Sequence, residues 1–336
     1  MDLSAKIEKV NKILEAKLPN DVEYGKITEA MRYSIMNGGK RLRAIMLLET
    51  AALYTNDEYI LEELVEPFAA AIEFIHGYSL VHDDLPAMDN DVLRRGLPTT
   101  HVKYGHAMGV LAGDALLNYA YETVADIYTK LIGISDEKLR LELYERVGNA
   151  NHIIARKPGY SGMIGGQVLD TAVEYPYSVS VNNNSDNTGS SDINTSASTQ
   201  NSDSRDEINK AIGYGKKIYE LKTSQLIEIA LMCGAVLGGA EEKDISLLEQ
   251  AGYSLGLAFQ IQDDILDMIS SAEVLGKSVQ KDAENGKPTI ARLVGIEKAE
   301  EMVREYTDKS IACLKALNRN TGFLEELFLS LINRNK

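Results

Sequence analysis

Residues 111–119, LAGDALLNY, place Leu111, Ala115, Leu116 and Tyr119 at steps of four, one and three residues. Steps of three and four return side chains to one face of a helix, whereas a half-buried strand needs strict alternation. The same spacing recurs outward from this stretch. Ile7, Val10, Ile13 and Leu14 show it near the start, and Leu47, Leu48, Ala51 and Ala52 show it in another apolar segment. Gly and Pro stand between such segments, at Gly38-Gly39, Pro86, Pro98 and Pro158-Gly159. The pattern predicts an all-α fold, one domain over residues 1–336, with several helices buried on more than one face.

A chain of 336 residues with 44% hydrophobic content has enough apolar side chains for a sizeable core. Its formal charge of -15 argues against general affinity for nucleic acid or anionic membrane, which needs an excess of Lys and Arg. Cys233 and Cys313 are the only cysteines, too few for a disulfide framework or a Cys-based zinc site. The opening MDLSAKIEKVNKILEAKL is charged throughout, unlike a signal peptide, and acidic residues such as Asp114 and Asp126 interrupt the apolar runs. These features predict a cytoplasmic protein with no stable membrane association. Residues 177–206 break the pattern, being almost wholly Ser, Asn, Asp and Thr. Such a segment buries too little apolar area to offset ordering entropy, so a disordered surface insertion is expected there, dispensable for activity.

Two acidic clusters lie within apolar surroundings. In HDDLPAMDNDVLRRG, residues 82–96, Asp83 and Asp84 are followed by Asp89 at a distance that a regular helix would turn away. Pro86 disfavours helix at Leu85 and lets the chain bend, so that Asp89 folds back toward the pair. In FQIQDDILD, residues 259–267, Asp263 and Asp267 share a helix face and Asp264 stands about 100° round from Asp263. Ala258, Phe259, Ile261, Ile265, Leu266 and Met268 leave that helix little other polar surface, which predicts an acidic stripe facing an interior cavity. Carboxylates packed this closely repel one another unless a cation lies among them, and oxygen-only donors without a Cys or His pair select Mg²⁺.

Basic residues supply the other half of the charge. NGGKRLRAIM, residues 37–46, sets Lys40, Arg41 and Arg43 at the start of an apolar helix, where backbone N–H groups and guanidinium forks suit a phosphate. Arg94-Arg95 and the Lys222-Thr223 pair add further positive charge and a hydroxyl. Together they suggest two phosphate groups in one cavity, one held through metal and one directly. A diphosphate on about three Mg²⁺ ions is a good leaving group, and its loss from an allylic carbon leaves a stabilised cation that apolar walls protect from water.

GGKRLR, HDDLPAMDNDVLRRGLPTTH, LAGDALL, GMIGGQVLD, LKTSQLIE, FQIQDDILD and GKSVQKDAENGKPT follow one another in this chain. In that order they resemble the trans-isoprenyl diphosphate synthases, or polyprenyl synthetases, over residues 31–290 apart from the polar insertion. The similarity is to short-chain members of the bacterial farnesyl diphosphate synthase kind. The resemblance implies helices around a central substrate cavity, a homodimer and Mg²⁺, with about three ions per site held by Asp83, Asp84, Asp89, Asp263, Asp264 and Asp267. It implies allylic diphosphate ligands at Arg94, Lys222, Gln260 and Lys277, and isopentenyl diphosphate ligands at Lys40, Arg43, His76 and Arg95. Thr223 and Gln260 would direct oxygen dipoles at the cation. Tyr78 and Ser79, five and four residues before Asp83, lie roughly one turn deeper and would limit product length. The expected reaction condenses isopentenyl diphosphate with dimethylallyl or geranyl diphosphate to farnesyl diphosphate. Alternatives are a geranylgeranyl product, a non-catalytic subunit of a heteromeric synthase, and a His82-Asp83 metal phosphohydrolase.

Overall fold

The computed structural model describes residues 2–20, 23–171, 200–274 and 289–333. Lys277 and most of the polar stretch, residues 177–199, fall outside them. The chain begins with α1 (Leu3–Lys17), α2 (Gly25–Met36), α3 (Leu42–Ala52) and, after a π-helical turn at Ile60–Val65, α4 (Glu66–Asp83). Then come α5 (Thr100–Tyr104), α6 (His106–Leu131), α7 (Glu137–Arg156), α8 (Met163–Thr171) and α9 (Gln200–Tyr219). A second π-helical turn, Glu220–Ser224, leads into α10 (Gln225–Gly238), followed by α11 (Glu242–Val274), α12 (Ile290–Val294), α13 (Ile296–Lys315) and α14 (Gly322–Ile332). The expected all-α class is what the described residues form, and α9 starting at Gln200 takes the end of the predicted insertion, residues 200–206, into a helix.

Helices α4 and α10 are apolar nearly all round and occupy the interior: every residue from Leu226 to Gly238 is buried. α4 packs on α6 and α3, α10 packs on α3, α11 and α7, and α13 covers α11. Two helical stretches, Ile60–Asp83 and Arg205–Gly238, are long and apolar enough to cross a bilayer, contrary to the reading that acidic residues interrupt all such runs. In both, 78% of the apolar window is buried inside the fold, so these faces meet other helices. The stretch LAGDALLNY, residues 111–119, is helical as expected, but its buried face is set by Ala112, Leu116 and Ala120, and Leu111 is 53% exposed. Its apolar arc is wider than the stripe that α4 covers.

The bend at Pro86 also forms. α4 ends at Asp83, and the Asp89 N–H returns to the Asp83 carbonyl at 2.9 Å. A two-stranded hairpin follows, unforeseen from spacing: β1 (Leu93–Arg94) pairs antiparallel with β2 (Leu97–Pro98). Arg95 and Gly96 form its two-residue turn with φ of 54° and 77°, as a primed hairpin turn requires.

Candidate active site

The interior helices bring their polar ends to one cavity of about 560 Å³. Asp83 comes from the end of α4, Lys222 and Thr223 from the π-helical turn before α10, Arg43 from α3, and His76, Tyr78 and Ser79 from α4. Leu117, Met163, Ile164 and Leu226 are among its apolar walls. A short irregular turn is a common way to present functional groups that regular winding would misdirect.

The first acidic cluster is held by partners from elsewhere. Asp83 Oδ1 accepts from Gln167 Nε2 at 2.8 Å. Burial, with Asp89 and Asp84 adding like charge against the opposing Lys222 and Arg94, raises the Asp83 carboxyl to about 6. Asp84, only 3% exposed, accepts from Arg94 Nε at 2.8 Å and from its terminal nitrogen at 2.5 Å. Arg94, expected to bind diphosphate, thus neutralises an expected metal ligand. Asp89 is exposed, and Asp91 lies 3.7 Å from Arg94.

The second cluster departs from expectation. Asp263 is half-buried and Asp267 exposed, while Asp264 is 5% exposed and turned into the protein. Its Oδ2 accepts from the Tyr219 hydroxyl at 2.5 Å, and burial raises its carboxyl to about 6 despite that bond. The three aspartates are not among the residues walling the 560 Å³ cavity. Gln260, one turn earlier, is tied to the cavity-lining Thr223 by accepting from its Oγ1 at 2.9 Å. The reason lies in the 100° offset per residue: a straight helix cannot aim Asp263 and Asp264 the same way.

At the basic end, Arg41, adjacent to Lys40, is a structural residue. It is buried at φ 50°, donates to Asn11 and the Ile35 carbonyl, and lies 3.5 Å from Glu73. Arg43 instead lines the cavity, and its buried Nε has no partner. Burial pushes this guanidinium down, with Arg95 adding to the effect and Glu73 opposing it. His76 beside it is held well below the ordinary imidazole range by burial and by Arg43, Arg95, Arg94 and Arg41. Arg95 donates to the Gly38 carbonyl, and a Cβ at Gly39 would stand 2.9 Å from its guanidinium. Lys40 is exposed on the adjoining loop.

Tyr78 is 6% exposed, lies edge-on to His82 with ring centroids 5.8 Å apart, and has its phenol raised to about 12, chiefly by burial. Ser79 Oγ donates to the His76 carbonyl. Both residues line the cavity.

Three residues escaped the sequence reading. Gln167 and Asp170 lie three apart on α8; the first donates to Asp83, and the second accepts from Lys222 Nζ at 2.7 Å. That i, i+3 spacing within GMIGGQVLD was the available signal. Gly166, just before Gln167, lets α8 approach the π-helical turn, since a Cβ there would stand 2.6 Å from the Lys222 backbone nitrogen. Tyr219 had no signal, because its partner lies 45 residues away.

Among the described residues, no three Asp, Glu, His or Cys side chains converge as a preformed metal cage. The donor set nevertheless fits a hard cation shared with a ligand, because Mg²⁺ is commonly held by one or two carboxylates plus substrate phosphates. Asp83, raised by burial and neighbouring carboxylates, is the group such a cation would relieve.

Residues 25–320 match the family model of the polyprenyl synthetases. The chain belongs to the polyprenyl synthetase family. This polyprenyl synthetase is 33% identical over 339 residues to the farnesyl diphosphate synthase of Escherichia coli (strain K12), covering 99% of the chain and 98% of that relative. It is 35% identical over 337 residues to the heterodimeric geranylgeranyl pyrophosphate synthase large subunit 2 of Arabidopsis thaliana, covering 99% of the chain and 77% of that relative. Its fold is similar to the crystal structure of an FPP/GFPP synthase from Zymomonas mobilis, with a TM-score of 0.70 and 28% identity over 98% of this chain and 97% of that one.

Proposed function

We propose that this polyprenyl synthetase condenses isopentenyl diphosphate with dimethylallyl and geranyl diphosphates to give farnesyl diphosphate. The observation that carries the reading is the 560 Å³ cavity, whose lining joins Asp83 and Lys222, the Arg43–His76 pair and apolar walls in one enclosure. Arg94, Lys222, Gln260 and Lys277 are assigned to the allylic diphosphate, and Lys40, Arg43, His76 and Arg95 to isopentenyl diphosphate. The unpartnered Arg43 Nε supports the second assignment, because a buried donor left unsatisfied costs about 1–3 kcal/mol that an anion would recover.

Of the six expected aspartates, Asp83, Asp84, Asp89, Asp263 and Asp267 are assigned to Mg²⁺, about three ions per site, which when bound stabilises charge on the departing diphosphate, and Asp264, turned toward Tyr219, is not. Arg94 bonds Asp84 through Nε and one terminal nitrogen, so the same guanidinium is shared between carboxylate and phosphate. The Thr223 hydroxyl and the Gln260 carbonyl oxygen orient dipoles toward the allylic cation, while Leu117, Met163 and Leu226 keep water from it. The isopentenyl double bond attacks, and the proton lost from the adduct leaves with the released diphosphate; no protein nucleophile is needed.

Tyr78 in the cavity wall supports an early stop and hence the farnesyl product. The geranylgeranyl alternative draws on relatives named for longer products. Exposed Val110 and Leu111 on α6 and Leu141 on α7 support the homodimer, which sedimentation equilibrium tests. A cytoplasmic location is proposed, supported by the two cysteines far apart in the sequence. The decisive assay incubates the protein with Mg²⁺, isopentenyl diphosphate and each allylic primer, then measures product chain length. Farnesyl diphosphate is expected; no condensation with any primer would overturn the proposal and favour the non-catalytic subunit.

A further inference from the structure

The Tyr219 hydroxyl has no part in the reaction outlined above, yet it stands where three elements of the site meet. It donates to Asp264 Oδ2 on α11 at 2.5 Å and accepts from the Ile290 N–H, at the start of α12, at 3.4 Å. Asp264 also takes the backbone N–H of Ala291. Tyr219 itself is the residue at which α9 gives way to the π-helical turn carrying Lys222 and Thr223.

That turn is also linked to α11 by Thr223 to Gln260 and by Ser224 Oγ to the Tyr253 carbonyl at 3.2 Å. Tyr219 precedes Thr223 by four residues, and Gln260 precedes Asp264 by four. The Tyr219 and Thr223 hydrogen bonds therefore form successive rungs between neighbouring elements. Thr223 and Ser224 are adjacent, so their bonds fasten one end of the turn only, whereas the Tyr219 rung a turn away fixes its rotation as well. The isopentenyl group, Arg43, His76 and Arg95, lies on α3, α4 and the hairpin and takes no part in this ladder.

We infer that Tyr219 is a positioning residue whose hydroxyl sets the register of the Lys222–Thr223 turn against the aspartate helix, and so preassembles the allylic diphosphate end of the site alone. Asp264 serves this ladder as the acceptor. The inference rests on the division into allylic and isopentenyl ends given above.

Tyr219→Phe in the full chain tests it, since the ring and its packing stay. The allylic KM, the Mg²⁺ concentration for half-maximal rate and the calorimetric Kd of a non-ionisable allylic diphosphate analogue with Mg²⁺ should each rise roughly tenfold. The isopentenyl KM should stay within about twofold. Equal shifts in both KM values, or none, would overturn the inference. Asp264→Asn, which keeps an oxygen for the hydroxyl, should move the analogue Kd less than Tyr219→Phe; a larger shift assigns Asp264 to the metal and overturns it as well. Wild-type protein run in parallel separates the two readings. No condensation by wild type defeats the proposed function, whereas condensation with unchanged Tyr219→Phe constants defeats only the ladder.

Discussion

The two aspartate-rich regions use the same side chains in opposite frames. At the first, the helix stops at Asp83, the chain bends over Pro86, and Asp89 returns to the Asp83 carbonyl. Gln167 and Arg94, from other parts of the fold, then hold Asp83 and Asp84. At the second, α11 runs straight through, and each carboxylate goes where the helix points it. Asp263 and Asp267 stay on or near the surface, and Asp264 is committed to Tyr219 inside. A bend can converge three carboxylates, while a straight helix offers at most two to one ligand and gives the third to packing.

The largest effect should separate Asp83 from Asp264. Asp83→Asn is expected to lower kcat for farnesyl formation by about 10²–10³-fold, as loss of a central electrostatic group does. Asp264→Asn, which keeps an oxygen for the Tyr219 hydroxyl, should cost less than about tenfold. Steady-state rates with geranyl diphosphate check both, and equal losses would erase the contrast. Next comes Arg94→Gln, which removes a charge-assisted pair: the allylic KM should rise roughly 10- to 100-fold with the isopentenyl KM little changed.

Tyr78→Ala should lengthen the main product by one or more five-carbon units, read by chromatography of the dephosphorylated products. An unchanged product would show that the stop lies elsewhere in the wall. The smallest effect is on pH dependence. Burial raises the Asp83 carboxyl from 3.8 to about 6, so within that window the folded chain keeps a proton that the unfolded chain has lost. Stability of the metal-free protein therefore falls as pH rises through the window. Asp83→Asn should flatten that slope, measured as denaturation midpoints across it, while Asp264 contributes the same sign in both proteins.

Much of this was legible beforehand. Three- and four-residue spacing marked the helices, and the bend at Pro86 followed from the constraint proline places on its predecessor. The two-residue hairpin was not legible, because strands so short carry no alternation, though Arg95-Gly96 is a turn dipeptide. The order of seven motifs pointed to the family, and the site residues came with that resemblance rather than from spacing. Among the cations of NGGKRLR, spacing left Arg41 and Arg43 equivalent; the fold made one structural and left the other facing the cavity with an orphaned nitrogen.

By itself, then, the sequence determined helix content, the position of the bend and the pooling of acidic and basic residues, since all depend on neighbours within a turn or two. Only the tertiary structure decided which charge each one meets: Arg94 on Asp84, Arg41 near Glu73, Lys222 on Asp170 and Tyr219 on Asp264. Those partners lie 10 to 52 residues apart, and no local rule links them. Their pairing follows from how α4 and α10, apolar nearly all round, are buried together and draw the surrounding elements into contact.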